Sequence, residues 1–390
     1  MSSIQYVKAS PADYDEVIDF GNYVFSASRS PHDFPAMLPK LYRREYFPEG
    51  IHYLAREEGK IRAAIGAYPL SLHICDDTLP GRGIGMVSVH PYARSRGYMR
   101  TLMGLALEDM RRDGIVFSCL GGQRQRYEYF GYTSAGTQPV FECRKANIRH
   151  ILGRDFVSGF SLRPISAGDT GLLDEMYRLH EAKTARVERR WEKFFDILSS
   201  WNGRIYAVLK GEAFFGYLVY YPEPGEVGEI NLIDNSRSAE VIGLLLDLQG
   251  KTNDRDRVSV MAQPHETDKL AALSRFAEEG QFRSAYSFNI FDYPRFLSAL
   301  LKLKCRDQNV PDGSWTVRIE GQETLCIAVS RGSPSVSKTN AGPAATLSHP
   351  EAMEFFFSFT APLVSPIIRG NPFLQSLLPL PLSFELADGV

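Results

Sequence analysis

The order of predicted elements in this 390-residue chain runs through once and then starts again about 150 residues later, the mark of an internal duplication. In the first pass, Ile4 to Lys8 reads as a short edge strand. Ser10-Pro11-Ala12-Asp13 opens a helix from Tyr14 to Phe25, in which Val17, Ile18 and Val24 recur at helical spacing. A turn-rich loop follows over 26–36. Ile51 to Arg56 and Ile61 to Pro69 flank Glu58-Gly59-Lys60 and read as a hairpin. Ile84 to Val89 is a further strand. Tyr98 to Arg112 is a helix with Met99, Leu102, Met103, Ala106 and Met110 on one face, and Ile115 to Leu120 is a buried strand. The second pass has a strand at Phe160 to Ile165 and a helix from Asp169 to about Glu188. A hairpin (Arg204 to Leu209, Ala213 to Tyr221), a strand (Glu229 to Ile233) and a helix (Ala239 to Leu248) complete it.

The last hundred residues differ in kind. Phe288 to Leu303 has a helical pattern, Trp315 to Glu320 and Thr324 to Ser330 pair across Gly321-Gln322, and Pro350 to Phe359 is helical. Only eight residues after position 320 are charged, so this tail must be buried against something.

A net charge of −2 argues against a nucleic-acid binder and against a polybasic membrane anchor. No window offers the roughly 20 uncharged apolar residues of a membrane span, and the N-terminus lacks a signal-peptide core. Five scattered cysteines and eight unclustered histidines predict no metal site, and the lone thiols fit a reducing cytoplasm.

One segment carries chemistry: Val87-Ser-Val89-His-Pro-Tyr-Ala-Arg94-Ser95-Arg96-Gly97-Tyr98-Met99-Arg100. A strand ends, a basic turn follows, and a long helix begins at once. The first N–H groups of a helix lack internal partners, and the helix dipole adds positive potential there. Gly97 admits the backbone close to an anion, and Arg94, Arg96 and Arg100 add charged donors. The turn is suited to a pyrophosphate. It has neither the Gly-x-x-x-x-Gly-Lys-Ser/Thr of a P-loop nor the Gly-x-Gly-x-x-Gly of a Rossmann site.

Val89-x-Pro91-x-x-Arg94-x-x-Gly97 resembles motif A of the GNAT acyltransferases, which cradles the pyrophosphate of acetyl-CoA. Tyr127-Glu-Tyr-Phe-Gly131-Tyr132 is similar to the Tyr-x-x-x-Gly-Phe/Tyr element whose tyrosine protonates the departing thiolate. The whole chain resembles the Eis branch of that superfamily. The resemblance implies an α/β (α+β) chain of two tandem GNAT folds and a sterol-carrier-protein-like domain. It puts a catalytic domain at 1–146, a degenerate copy at 147–287 and the third domain at 288–390. The second copy has Leu232-Ile-Asp-Asn-Ser-Arg-Ser-Ala239 where the phosphate turn belongs, so the first copy alone is expected to bind acetyl-CoA.

The resemblance further implies direct attack of a primary amine of a small, cationic acceptor on the thioester, in a homo-oligomer (trimer or hexamer). Tyr127 is then the general acid and the carboxylate of Val390 the base. The family ends on an aromatic residue and this chain on Glu385-Leu-Ala-Asp388-Gly-Val390, so Glu385 and Asp388 stay open as bases. Phe25 and Asp33 fall where acceptor loops lie, and read equally as a core residue and a solvated one. Two other readings stand beside this one: an apolar-ligand binding protein on a GNAT scaffold, and a transferase of longer acyl chains.

Overall fold

The computed structural model describes residues 4–27, 31–153, 158–252 and 256–390; Ser28, Arg29 and Ser30 of the predicted loop lie outside them. The strands, in chain order, are β1 (Ile4–Lys8), β2 (His52–Glu57), β3 (Lys60–Ile74), β4 (Asp77–Val89), β5 (Phe117–Leu120), β6 (Thr133–Ala135), β7 (Gln138–Arg144), β8 (Phe160–Pro164), β9 (Ala185–Val187) and β10 (Arg204–Lys210). They continue with β11 (Ala213–Tyr221), β12 (Glu226–Leu232), β13 (Arg257–Met261), β14 (Ala277–Arg283), β15 (Tyr286–Ile290), β16 (Gly313–Ile319), β17 (Thr324–Ser330), β18 (Ser333–Lys338) and β19 (Ala345–Leu347).

Two sheets follow one plan. The first runs β1-β2-β3-β4-β5-β15-β6 and the second β8-β10-β11-β12-β13-β7-β14. In each, only the fourth and fifth strands pair in parallel. The sixth strand is exchanged: β7, from the first half, completes the second sheet, and β15, which follows the second half, completes the first. The expected boundaries at 146 and 287 therefore do not separate two self-contained sheets.

Three expectations change. The strands expected at Ile61 to Pro69 and Ile84 to Val89 are longer and make a second hairpin, because β3 and β4 stay paired from Ala63↔Val89 out to Ile74↔Asp77. Its tip packs Leu72, Ile74 and Leu79 against Phe296 and Leu300 of the third unit. The helix expected to run to Glu188 ends at Glu181. Ala185 to Val187 instead form β9, which gains ladder bonds to that projecting tip. The helix expected from Phe288 begins at Tyr293. Asp292 caps it by accepting from the Arg295 N–H at 3.1 Å, with Pro294 in its first turn, which leaves the preceding residues free to pair as β15.

The third unit sets the helices Tyr293–Asp307 and His349–Phe357 against a sheet ordered β18-β17-β16-β19. Its interior is continuous with that of the first sheet through Phe117, Phe288 and Phe384. No helix among the described residues is long and apolar enough to cross a membrane.

Candidate active site

The site begins as a defect in a sheet. β4 and β5 pair only from Gly81↔Phe117 to Gly83↔Cys119 and then splay. Just beyond, β4 bulges: Ala64 pairs with Ser88 and Gly66 with Gly85, so Met86 and Val87 face Ile65 alone. Met86 takes φ +51°. A bulge leaves one residue out of the ladder and bends the strand. Between the splayed ends lies a cleft of about 900 Å³, lined by Ile84 to Val87 and Val89 on one side and Gly121 and Gly122 on the other.

The predicted anion turn stands at one end of this cleft. Gly97 takes φ +81° as the N-cap of the helix Tyr98–Arg112, with no side chain capping the first N–H groups. A Cβ at Gly97 would meet open space, so glycine is required there by conformation and not by crowding. A second opening of about 500 Å³ is lined by Arg94 through Arg100 and by Arg126, and it shares Val89, Arg94, Met99 and Arg126 with the cleft. Among the described residues, Arg94, Arg100 and Arg126 have no carboxylate within ion-pair range; Arg96 is held by Glu57 at 3.2 Å. Ser95 is exposed at φ +64°, and Tyr98 is buried in the core. Unneutralised guanidinium groups at a helix N-terminus fit the phosphates of a CoA thioester. Arg126 was not among the sequence-predicted residues, although the run Arg124-Gln125-Arg126 beside Tyr127 was a readable signal.

Three tyrosines follow, in three different settings. Tyr129 is 89% exposed. Tyr132 is buried, with its hydroxyl hydrogen-bonded to Ser118 at 2.7 Å. Tyr127 is buried, lines the cleft, and has no hydrogen-bond partner for its hydroxyl among the described residues. Its ring lies over Gly122, where a Cβ would come within 2.5 Å of it. Burial pushes the Tyr127 phenol up, with Arg126 pulling weakly the other way.

The chain terminus enters from the opposite side. The tail after Leu378 returns past both halves: Thr137 N–H donates to Leu382 O at 2.9 Å, and Ser383 donates to Gln138 at 3.0 Å. Glu385 pairs with Lys183, and Asp388 receives two bonds from Arg189, at 2.8 and 3.0 Å. Arg189 is itself fully buried and also grips Glu229. Burial pushes the Glu385 carboxyl up to about 7, with Lys183 pulling the other way. Neither Glu385 nor Asp388 lines the cleft; Val390 does. Its side chain fills the space a Cβ at Gly83 would need. The buried Lys40 ammonium donates to the carbonyls of Ala387 and Gly389.

Of the two predicted acceptor residues, Phe25 lines the cleft and Asp33 does not. Asp33 is exposed and caps the short helix Phe34–Met37 by accepting from the Ala36 N–H at 3.2 Å. Phe34, Leu38, Tyr42 and Trp201 join Phe25 on that wall. Of these, Phe34 lies in the loop the sequence marked for the acceptor, and Leu38, Tyr42 and Trp201 were not predicted. Trp201 belongs to the second half, where no local pattern points to the first half's cleft. Among the described residues, no group of three His, Cys, Asp or Glu side chains is placed to hold a metal ion.

Residues 5–135 match the family model of the acetyltransferase (GNAT) domain. No curated protein matches the sequence. Among solved structures, the chain is similar to a conserved protein of unknown function from Enterococcus faecalis V583, at 16% identity and a TM-score of 0.68, with 98% of each chain covered. It is also similar to a GCN5-related N-acetyltransferase from Kribbella flavida (16% identity, TM-score 0.65, 100% and 99% covered). Eis1 from Mycobacterium abscessus is a third such structure (13% identity, TM-score 0.63, 100% of each chain covered). At these identities the likeness is one of fold, and it spans the whole chain.

Proposed function

We propose, from a GNAT acetyltransferase domain over residues 5–135, that the protein transfers an acetyl group from acetyl-CoA to a primary amine by direct attack. The observation that supports this most is that Arg94, Tyr127 and Val390 all line one cleft. In this reading Arg94, Arg100, Arg126 and the N–H groups after Gly97 hold the phosphates. Acetyl-CoA supplies an activated thioester carbonyl. The bulge at Met86 and Val87 offers backbone N–H groups to a developing oxyanion. The amine must be neutral to attack, and the Val390 carboxylate takes its proton. Tyr127, whose phenol holds its proton at neutral pH, gives that proton to the departing thiolate. Holding the two reactants together supplies roughly 7–11 kcal/mol of the barrier, so no covalent enzyme intermediate is needed.

The same reading extends to an Eis-like plan, with a degenerate second GNAT copy, a sterol-carrier-like third unit, and assembly as a homo-oligomer. The second copy and the third unit then act as the frame that delivers the tail to the cleft.

Thiol release from acetyl-CoA against a panel of amines tests the mechanism. Tyr127→Phe should lower kcat by about 10²–10⁴, the usual range for a lost general acid, with KM for acetyl-CoA little changed. Deleting Val390 withdraws the terminal carboxylate by one residue, about 3.8 Å, and should lower kcat comparably. Wild-type kcat in both variants would refute the assigned roles. Failure to bind acetyl-CoA would refute the transferase.

A further inference from the structure

The cleft has two walls of different character. Tyr127, Val87, Val89 and Met99 pack with the helix Tyr98–Arg112, and this wall carries the anion turn. Val390, Phe25 and Trp201 pack instead on the cluster of Phe34, Leu38, Tyr42 and Met86. The last residue of the chain therefore packs on an aromatic wall, and in the proposed reaction that is the wall the acceptor must touch to give up its proton. Among the described residues, no Asp or Glu side chain lines the cleft, and its charged side chains are Arg94 and Arg126.

This wall is built in advance. Phe25 and Phe34 meet edge to face at 5.0 Å, and Phe34 and Tyr42 lie 4.9 Å apart. The Phe34 N–H is held by Asn22 at 2.9 Å. Trp201 reaches in from the second half with φ +59°, followed by Asn202 at φ +60°. A bulky residue in the left-handed region is uncommon and persists only where surrounding structure imposes it; such outliers gather at binding sites. Gly203 completes the turn, because a Cβ there would come 2.3 Å from the Leu198 carbonyl oxygen.

We infer that the acceptor is a monoamine with an aromatic or bulky apolar body, seated on Phe25, Phe34 and Trp201 with its nitrogen toward Val390, and that polycations such as polyamines and aminoglycosides are poor acceptors. This rests on the transferase reading and narrows the cationic acceptor expected from the sequence to one with a single ammonium group. A polycation leaves its further ammonium groups without a counter-charge beside apolar walls and two guanidinium groups, where desolvation is costly. An arylalkylamine buries its ring and presents a single nitrogen to a single carboxylate.

The test pairs binding with turnover. Tryptamine, 2-phenylethylamine, spermidine and kanamycin are titrated calorimetrically into the full-length protein saturated with CoA, and each is assayed as acceptor with acetyl-CoA. The two aryl amines should exceed spermidine and kanamycin by at least about tenfold in kcat/KM. Trp201→Ala and, independently, Phe25→Ala should each cut aryl-amine kcat/KM by about tenfold and leave KM for acetyl-CoA within about twofold. Preference for spermidine or kanamycin, or an aryl preference that survives both substitutions, overturns the inference. A preference for long-chain acyl-CoA that vanishes in Trp201→Ala assigns this wall to the acyl chain and also overturns it. Trp201-dependent aryl-amine binding without acetyl transfer keeps the ligand class and removes the transferase.

Discussion

Lys40 is a fully buried ammonium group with no carboxylate in ion-pair range among the described residues; its donors go to two carbonyls of the tail. Burial lowers its pKa to about 7, with Asp388 opposing. In the unfolded chain it titrates near 10.4. Between these values the unfolded state binds the proton that the folded state releases, so stability from this group rises as pH rises from about 7 to 10.4. Below about 7 both states are protonated, and the full cost of burying the charge is present. Lys40→Met should therefore stabilise the protein at pH 6, by about 1–4 kcal/mol, the range seen when apolar groups replace buried ions. It should also flatten the rise in Tm between pH 7 and 10. The same substitution frees Ala387 and Gly389 next to Val390, so kcat should fall while Tm climbs. Parallel Tm–pH curves for the two proteins would show that Lys40 is not the group responsible.

The tail from Leu378 to Val390 is irregular apart from one 3-10 turn, Leu386–Asp388, and is held by buried apolar side chains and by charge. Arg189 divides its donors between Glu229 and Asp388, all buried. Asp388→Ala leaves half of that guanidinium facing an apolar surround and should cost about 3–5 kcal/mol in denaturant unfolding. Deleting Val390 removes no side-chain ion pair and should cost less than about 1 kcal/mol, since the residue is only partly buried, beside Gly83 and the Phe34 cluster. Equal losses from the two changes would remove the distinction between the anchor and the reacting end. Little of this was legible in sequence. The anion turn was, because strand, glycine and helix are adjacent in the chain and each leaves a local pattern. So was Tyr127, by its spacing to Gly131. The tail's partners lie about 200 residues away at Lys183 and Arg189, and no periodicity links them. β9 and β15 were missed for the same reason, since their partners β3 and β5 are in the other half. Phe25, at the end of the first helix, and Asp33, in the loop after it, were both read as acceptor residues. Only packing separates them, one in the cleft and one capping a helix.

At the scale of the molecule, the exchanged strands join the two halves more firmly than a linker would. β5 in the first sheet is flanked by β4 and β15, and β15 also carries β6 on its far side. In the second sheet β7 sits between β13 and β14. Removing either exchanged strand detaches the last strand of its sheet and exposes two edges whose N–H and C=O groups then lack partners. The third unit adds to this, because Phe288 on β15 belongs to the same apolar cluster as Phe296, Trp315 and Phe384. A fragment of residues 1–146 keeps the anion turn, Tyr127 and the family-matched segment, yet it lacks β15, Trp201 and Val390. It should fail to fold as a monomer: its circular dichroism should show little sheet and its sedimentation should show aggregate. The full chain should lose both sheets together in one denaturant transition, with backbone ellipticity and tryptophan fluorescence (Trp191, Trp201 and Trp315 report on the second half, the cleft and the third unit) changing at the same midpoint. A soluble, folded 1–146 fragment, or midpoints that separate by more than the error of the fits, would mean that each half is stable alone. The exchange would then serve only to orient the halves, and the delivery of Val390 and Trp201 to the first half's cleft would rest on the tail and its buried ion pairs.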